Sequence, residues 1–218
     1  MLSIKKITQL AKENSTPLYI FDKDELADRI SSIKSIVGDG VTICYAMKAN
    51  PFLLDAAKKL KESGLGDVVK EQAAKGKPVL GICLGMQLLF EKSYEYGEYE
   101  GLGLIKGNVR PIADVVGKEL KIPHIGWNAL IFPKDKEKSP LYKYTNEGDF
   151  VYFVHSYYAA DCDESITAVS EYGAMITASV QNGNIYGAQF HPEKSARAGL
   201  AVLQGFLRMA QQAGGATG

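Results

Sequence analysis

The chain has 218 residues, 46% hydrophobic and 23% charged, and 25 Lys+Arg balance 25 Asp+Glu to a formal net charge of zero. This is soluble globular composition, with enough apolar residues for one large or two small domains, and no basic excess points to nucleic acid or an anionic membrane. No leader pattern or bilayer-length apolar run is present, and three cysteines, Cys44, Cys83 and Cys162, do not read as a disulfide framework; a reducing cytoplasm is the expected setting.

Residues 4–12 have helical spacing, and Pro17-Leu18-Tyr19-Ile20-Phe21 reads as a buried strand. Asp22 or Asp24 can cap a helix carrying Leu26, Ile30, Ile33 and Ile36, which Gly38-Asp39-Gly40 ends. Residues 41–47 predict a second strand, 51–60 and 67–75 helices, and 78–83 a third strand. Strand and helix alternate over this stretch, which argues for a parallel sheet covered on both faces. Beyond Phe90 short strand-like runs follow at 102–105, 109–112, 129–132, 150–155, 166–171, 176–180 and 185–190. Asn182-Gly183 is a hairpin signal, residues 134–138 read as a charged surface loop, 196–209 as a closing helix, and 211–218 as a frayed tail.

Gly81-Ile82-Cys83-Leu84-Gly85 carries the chemistry. A cysteine between glycines, after an apolar strand and before a helical run at 86–90, has the sequence form of a nucleophile elbow. The sharp turn demands strained backbone and small neighbours, and a helix N-terminus favours the thiolate. Downstream, Phe190-His191-Pro192-Glu193-Lys194 offers a base in His191 and an orienting carboxylate in Glu193. These are the parts of nucleophilic acyl transfer.

From about residue 67 to 209 the chain resembles the glutaminase subunit of imidazole glycerol phosphate synthase, a class I glutamine amidotransferase. The resemblance rests on residues 76–90 around the elbow, Gly101-Leu102-Gly103-Leu104, Ile122-Pro123-His124-Ile125-Gly126-Trp127-Asn128, Tyr152-Phe153-Val154-His155-Ser156-Tyr157-Tyr158 and Gln189-Phe190-His191-Pro192-Glu193-Lys194-Ser195. It implies an α/β three-layer sandwich with a mixed, mainly parallel sheet. It also implies Cys83, His191 and Glu193 as the triad, Leu84 N–H as an oxyanion donor, and Gln87, His155, Ser156 and Tyr157 around the glutamine. Pro123, Trp127, Asn128, Tyr152 and Lys194 would face a (βα)8-barrel cyclase that receives ammonia; as isolated residues, Trp127 and Tyr152 also read as ordinary core aromatics. His124 would lie near that interface, although a histidine beside a strand is by itself most simply structural. No metal or cofactor is implied.

The first 66 residues break that pattern. Thr16-Pro17-Leu18-Tyr19-Ile20-Phe21-Asp22 and Cys44-Tyr45-Ala46-Met47-Lys48-Ala49-Asn50-Pro51 resemble the start of a pyridoxal-phosphate-dependent diaminopimelate decarboxylase, whose Schiff-base lysine would be Lys48. The chain therefore reads as a chimera of segments 1–66 and 67–218 with a junction near residues 64–69, the strands at 17–21 and 41–47 standing in for lost amidotransferase strands. The family's Pro-Gly-Val-Gly oxyanion turn is missing, with Asn50 or a local N–H as a chance substitute, which implies a roughly hundred- to thousandfold loss of turnover. Three readings stay open: a glutaminase, active or impaired; a catalytically dead scaffold that still binds a cyclase; and a pyridoxal-phosphate lyase fragment.

Overall fold

The computed structural model describes residues 4–14, 27, 28, 31, 35, 63–95 and 97–215. Two compact units divide the chain, Met1–Cys44 and Tyr45–Gly218. The first contains helix α1 (Ile4–Asn14), where the spacing predicts it. The strands expected at 17–21 and 41–47, Lys48 and Asn50 lie outside the described residues.

Among the described residues of the second unit, α2 (Leu65–Ala74) comes first; it starts after Gly64 at φ 72° and covers the expected junction. Strand β1 (Val79–Ile82), the single helical turn α3 (Leu84–Gln87), the short strands β2 (Lys92–Ser93) and β3 (Tyr99–Glu100), and β4 (Asn108–Pro111) follow. Next come β5 (His124–Ala129), β6 (Phe150–His155), β7 (Tyr157–Ala160), β8 (Ile166–Glu171), β9 (Met175–Asn182), β10 (Ile185–Ala188) and the closing helix α4 (Ala196–Gly215).

Among the described residues, one sheet runs β1-β10-β9-β8, a second β3-β2-β4-β7, and β5 pairs with β6 alone. The two four-stranded sheets are mixed, as expected, but among the described strands only β1/β10 and β2/β4 are parallel. The pairs β10/β9, β9/β8, β2/β3, β4/β7 and β5/β6 are antiparallel, so the expected parallel majority does not hold among the described residues. Successive strands joined by short turns favour antiparallel pairing, as at Asn182, which faces Ile185 across Gly183 at φ 57°.

Every residue of β10 is buried, because the sheet has an apolar cluster on each face. Tyr186, Ala188 and Ala178 point to one side and meet Leu141, Tyr142, Val151, Phe153 and the α4 residues Val202 and Phe206. Ile185 and Val180 point to the other and meet Met86, Leu89, Phe90, Val109, Ala159 and Ala73 of α2. Each large side chain so buried contributes about 1.5–3 kcal/mol relative to exposure.

The central feature for the site is the in-register parallel pairing of Val79, Leu80, Gly81 and Ile82 with Ile185, Tyr186, Gly187 and Ala188. It brings the C-terminal ends of β1 and β10 to one edge, so the residues just beyond them become neighbours. The Cys83 N–H continues the ladder to the Ala188 carbonyl at 2.7 Å.

Several local expectations are corrected. Residues 102–105 are not a strand; Leu102, Leu104 and Ile105 donate backbone N–H bonds to the carbonyls of Leu88 and Leu89. Those carbonyls are thereby taken, which helps explain why the helix after the elbow ends at Gln87 rather than running through 86–90. The strand expected at 129–132 begins at His124 and ends at Ala129, leaving Ile131 as an isolated bridge to Val169. The closing helix runs past 209 to Gly215, into the expected frayed tail. In the 134–138 loop, which is exposed as expected, Lys136 also donates to the carbonyls of Asp163, Glu164 and Ile166.

The two elbow glycines differ. A Cβ on Gly81 would meet the Gly85 carbonyl oxygen at 2.5 Å, whereas one on Gly85 would meet nothing within 4 Å. Gly81→Ala is expected to destabilise the fold by about 1–3 kcal/mol through overpacking, and Gly85→Ala to leave stability within about 1 kcal/mol or raise it. Urea unfolding midpoints of the two variants beside wild type check this.

Candidate active site

Cys83 sits at φ 51°, ψ −107°, between β1 and α3. A positive φ is strained for a side chain other than glycine, and such strain marks functional sites. The elbow therefore has the backbone the sequence predicts, and its thiol is almost fully buried. The following helix is one turn rather than a long dipole, so its contribution to the sulfur is local: Leu84 starts the turn, and its N–H has no intrahelical partner.

His191 leaves β10 three residues beyond Ala188. Its N–H donates to the Tyr152 carbonyl at 2.9 Å, and its own carbonyl accepts from Ser195 Oγ at 2.6 Å. Ser195 Oγ in turn accepts from the Tyr152 N–H at 2.9 Å. The Pro192–Lys194 turn, with proline at its first position, curls Glu193 back so that Oε1 lies 2.7 Å from His191 Nδ1.

Cys83 is the largest influence raising the His191 imidazole, followed by the hydrogen bond with Glu193; against opposing burial they carry its pKa to about 9. Nε2 is buried and bonds no other side chain or backbone group, and Cys83 acts on the imidazole first through side-chain hydrogen bonding and then, more weakly, through charge. Burial pushes the Glu193 carboxyl up, but bonding to His191 and its own backbone, with the pull of His191 and Lys194, leaves it below the usual range. Sulfur, imidazole and carboxylate thus stand in series, as acyl transfer requires.

Around them lies a buried polar chain. Gln87 Nε2 donates to the Tyr157 carbonyl at 3.3 Å and to Gln189 Oε1 at 3.1 Å, and its own Oε1 is buried with no partner. His155 Nδ1 is 2.8 Å from the same Tyr157 carbonyl, and His155 Nε2 is 3.1 Å from His124 Nδ1. His124 Nε2 is 2.8 Å from Asn128 Oδ1, and Asn128 Nδ2 donates to the Glu171 carbonyl. Burial lowers the His124 pKa, against the raising influence of Asn128.

The structure thus gathers Cys83, Leu84, Gln87, His155, Tyr157, His191 and Glu193 at one sheet edge. Ser156 is the bend between β6 and β7, its carbonyl bonded to Ile112 N–H. Trp127 and Tyr152 pack edge to face across the β5/β6 pair, yet Trp127 is 48% exposed beside Ile125 and Phe150, each 58% exposed, so Trp127 is not a core aromatic. Pro123 and Lys194 are exposed as well, and Asn128 is half-buried in the polar chain. Lys48 lies outside the described residues, and among those described no cluster of His, Cys, Asp or Glu is arranged to hold a metal ion. Sequence reasoning missed one residue, Gln189, fully buried with Nε2 3.5 Å from Cys83 Sγ. Its signal was an amide inside an otherwise apolar run, in phase with Ile185 and Gly187.

Residues 61–209 match the model for "Glutamine amidotransferase class-I", and the chain belongs to that family. It is 50% identical over 161 residues to the imidazole glycerol phosphate synthase subunit HisH of Bacillus licheniformis, covering 72% of this chain and 74% of that protein. It is likewise 50% identical over 159 residues to the same-named subunit of Aquifex aeolicus, with 72% and 73% covered. The fold is shared with the glutaminase domain of Trypanosoma brucei CTPS, solved with bound acivicin: TM-score 0.54, 17% identity, 88% of this chain and 91% of that one.

The raised His191 pKa has a definite sign. Because the folded value exceeds the unfolded one near 6.5, the stabilisation is complete below about pH 6.5 and is lost as pH rises through about 9. The thermal midpoint of wild type is therefore expected to fall between those pH values more than that of His191→Gln. Histidine NMR titration is expected to show the His191 midpoint dropping in Cys83→Ala, and unchanged midpoints would contradict the pairing.

Proposed function

We propose that the chain is the glutaminase of an imidazole glycerol phosphate synthase, releasing ammonia from glutamine for a (βα)8-barrel cyclase in histidine biosynthesis. The observation that carries this reading is the strained Cys83 beside His191, whose Nδ1 lies 2.7 Å from Glu193. Half-identical relatives that are named subunits of that synthase support the choice of synthase.

In this reading Cys83 Sγ attacks the side-chain amide carbon of glutamine while its proton passes to His191 Nε2. The carbonyl π pair moves to oxygen, where the Leu84 N–H stabilises the charge by about 3–4 kcal/mol. The intermediate collapses with C–N cleavage, His191 protonates the departing ammonia, and a glutamyl thioester remains. His191 then draws a proton from water, which hydrolyses the thioester, and Glu193 steadies the imidazolium throughout. The unpartnered Gln87 Oε1 suits an N–H of the substrate, since an unsatisfied buried acceptor costs about 1–3 kcal/mol. His155, Ser156 and Tyr157 border the same place. Because the strand end expected to replace the missing oxyanion turn falls at 47–51, the reading keeps its reduced turnover as part of the proposal.

Pro123, Trp127, Asn128, Tyr152 and Lys194 are assigned to the cyclase-facing surface, supported by the exposed Ile125, Trp127 and Phe150 on the β5/β6 pair. The assignment covers the segment from 67 onward. A decarboxylase origin for 1–66, with pyridoxal phosphate on Lys48, rests on sequence resemblance; a visible absorbance band on adding the cofactor that Lys48→Ala abolishes would support it.

Glutamine-dependent ammonia release by the purified chain, with and without a barrel cyclase, tests the main reading. Cys83→Ala is expected to lower it by on the order of 10⁴-fold or more, and Glu193→Gln by less. No release from folded wild type with cyclase bound would leave the catalytically dead scaffold. Trp127→Ala is expected to weaken cyclase binding about tenfold to thousandfold, as for an interface aromatic, with its unfolding midpoint unchanged; calorimetric titration of the cyclase reads this.

A further inference from the structure

The amide of Gln189 has its orientation fixed by its neighbours. The Tyr157 carbonyl can only accept hydrogen bonds, so Gln87, 3.3 Å away, must present its Nε2 there. That same nitrogen lies 3.1 Å from the Gln189 amide, which must therefore turn its oxygen toward Gln87. The Gln189 nitrogen is left pointing at Cys83 Sγ, at 3.5 Å. His155 Nδ1, 2.8 Å from the same carbonyl, must likewise donate. The anchor for the whole arrangement is one acceptor-only backbone oxygen. Gln189 and Cys83 are both almost fully buried, so water does not compete for this contact.

We propose that Gln189 is a further catalytic residue of the glutaminase, whose side-chain N–H donates to the Cys83 sulfur and favours its anionic form as the proton leaves for His191. A neutral thiol is a weak acceptor and a thiolate a strong one, so the bond strengthens as S–H breaks and the sulfur becomes the attacking lone pair. Stabilising a thiolate also blunts it, but nucleophilicity follows basicity with a coefficient of only about 0.4–0.5. The gain in thiolate population therefore outweighs the loss below the thiol's midpoint. The role rests on the glutaminase reading, while the sulfur's environment can be measured without glutamine.

The test is the pH dependence of iodoacetamide alkylation at Cys83, followed by peptide mass spectrometry, in wild type, Gln189→Met and Gln189→Glu. Burial pushes the Cys162 thiol up to about 11, so in the folded chain it stays protonated and unmodified well below that pH and marks the integrity of each variant. Gln189→Met is expected to move the Cys83 midpoint up by about one pH unit. The rate below the midpoint should fall about threefold, and the plateau above it should rise about threefold, because the freed thiolate is more basic. Gln189→Glu has the same shape and sets a carboxylate against the sulfur, so its shift should be larger. Crossing profiles, with kcat reduced more than KM is changed, support the role. Superimposable Cys83 profiles in wild type and a variant that still protects Cys162 overturn it. A wild type that alkylates as described but releases no ammonia sinks the glutaminase reading alone.

Discussion

The site depends on one pairing, the in-register parallel ladder between β1 and β10. A parallel pair sends both strands out at the same edge, so Cys83 and the residues after Ala188 meet without a long loop to position either. The ladder bond from Cys83 N–H to the Ala188 carbonyl, at 2.7 Å, extends that register to the nucleophile itself. A slip of one residue would move Gln189 to the opposite face, and Phe190, which packs in the α4-side cluster, would be turned out of it. The apolar clusters on the two faces thus hold the register that the chemistry needs.

Against this rigid frame the reactive groups are held under tension. Cys83 holds a φ of 51° between the ladder bond of its N–H to Ala188 on one side and the helical-turn bond of its carbonyl to Gln87 on the other. Gly81 allows the strand to pass the turn at a distance no Cβ would permit. The imidazole of His191 is burdened by burial, yet the sulfur and Glu193 outweigh that burden and favour its charged form. Stability is given up locally, in strained backbone and the unpartnered Gln87 Oε1, at the points where a reacting amide would supply what is missing.

The buried polar chain ties the β5/β6 pair to the nucleophile. It runs from Asn128 through His124 and His155 to the Tyr157 carbonyl, then through Gln87 and Gln189 to the sulfur. Tyr152 adds a second tie, since its backbone bonds both His191 and Ser195 while its ring meets Trp127. The strand pair bearing the exposed Ile125, Trp127 and Phe150 is therefore mechanically continuous with the catalytic turn.

Local features are legible in the chain before it folds. Glycine spacing around Cys83 marked the elbow, Asn182-Gly183 marked the hairpin, proline after His191 marked a turn that returns Glu193, and helical periodicity marked α1, α2 and α4. Each follows from backbone sterics or side-chain period within a few residues. Long-range features follow only from packing. Strand direction beyond Phe90 depends on which strands become neighbours, and the helix after the elbow stops at one turn where residues 102–105 take the carbonyls of Leu88 and Leu89. Trp127 is 48% exposed rather than core, on a face of the β5/β6 pair that also leaves Ile125 and Phe150 exposed. Gln189 gained its place against Cys83 from a parallel register linking residues more than a hundred apart; an amide in an apolar run has no local partner, and only packing could say which atom it meets.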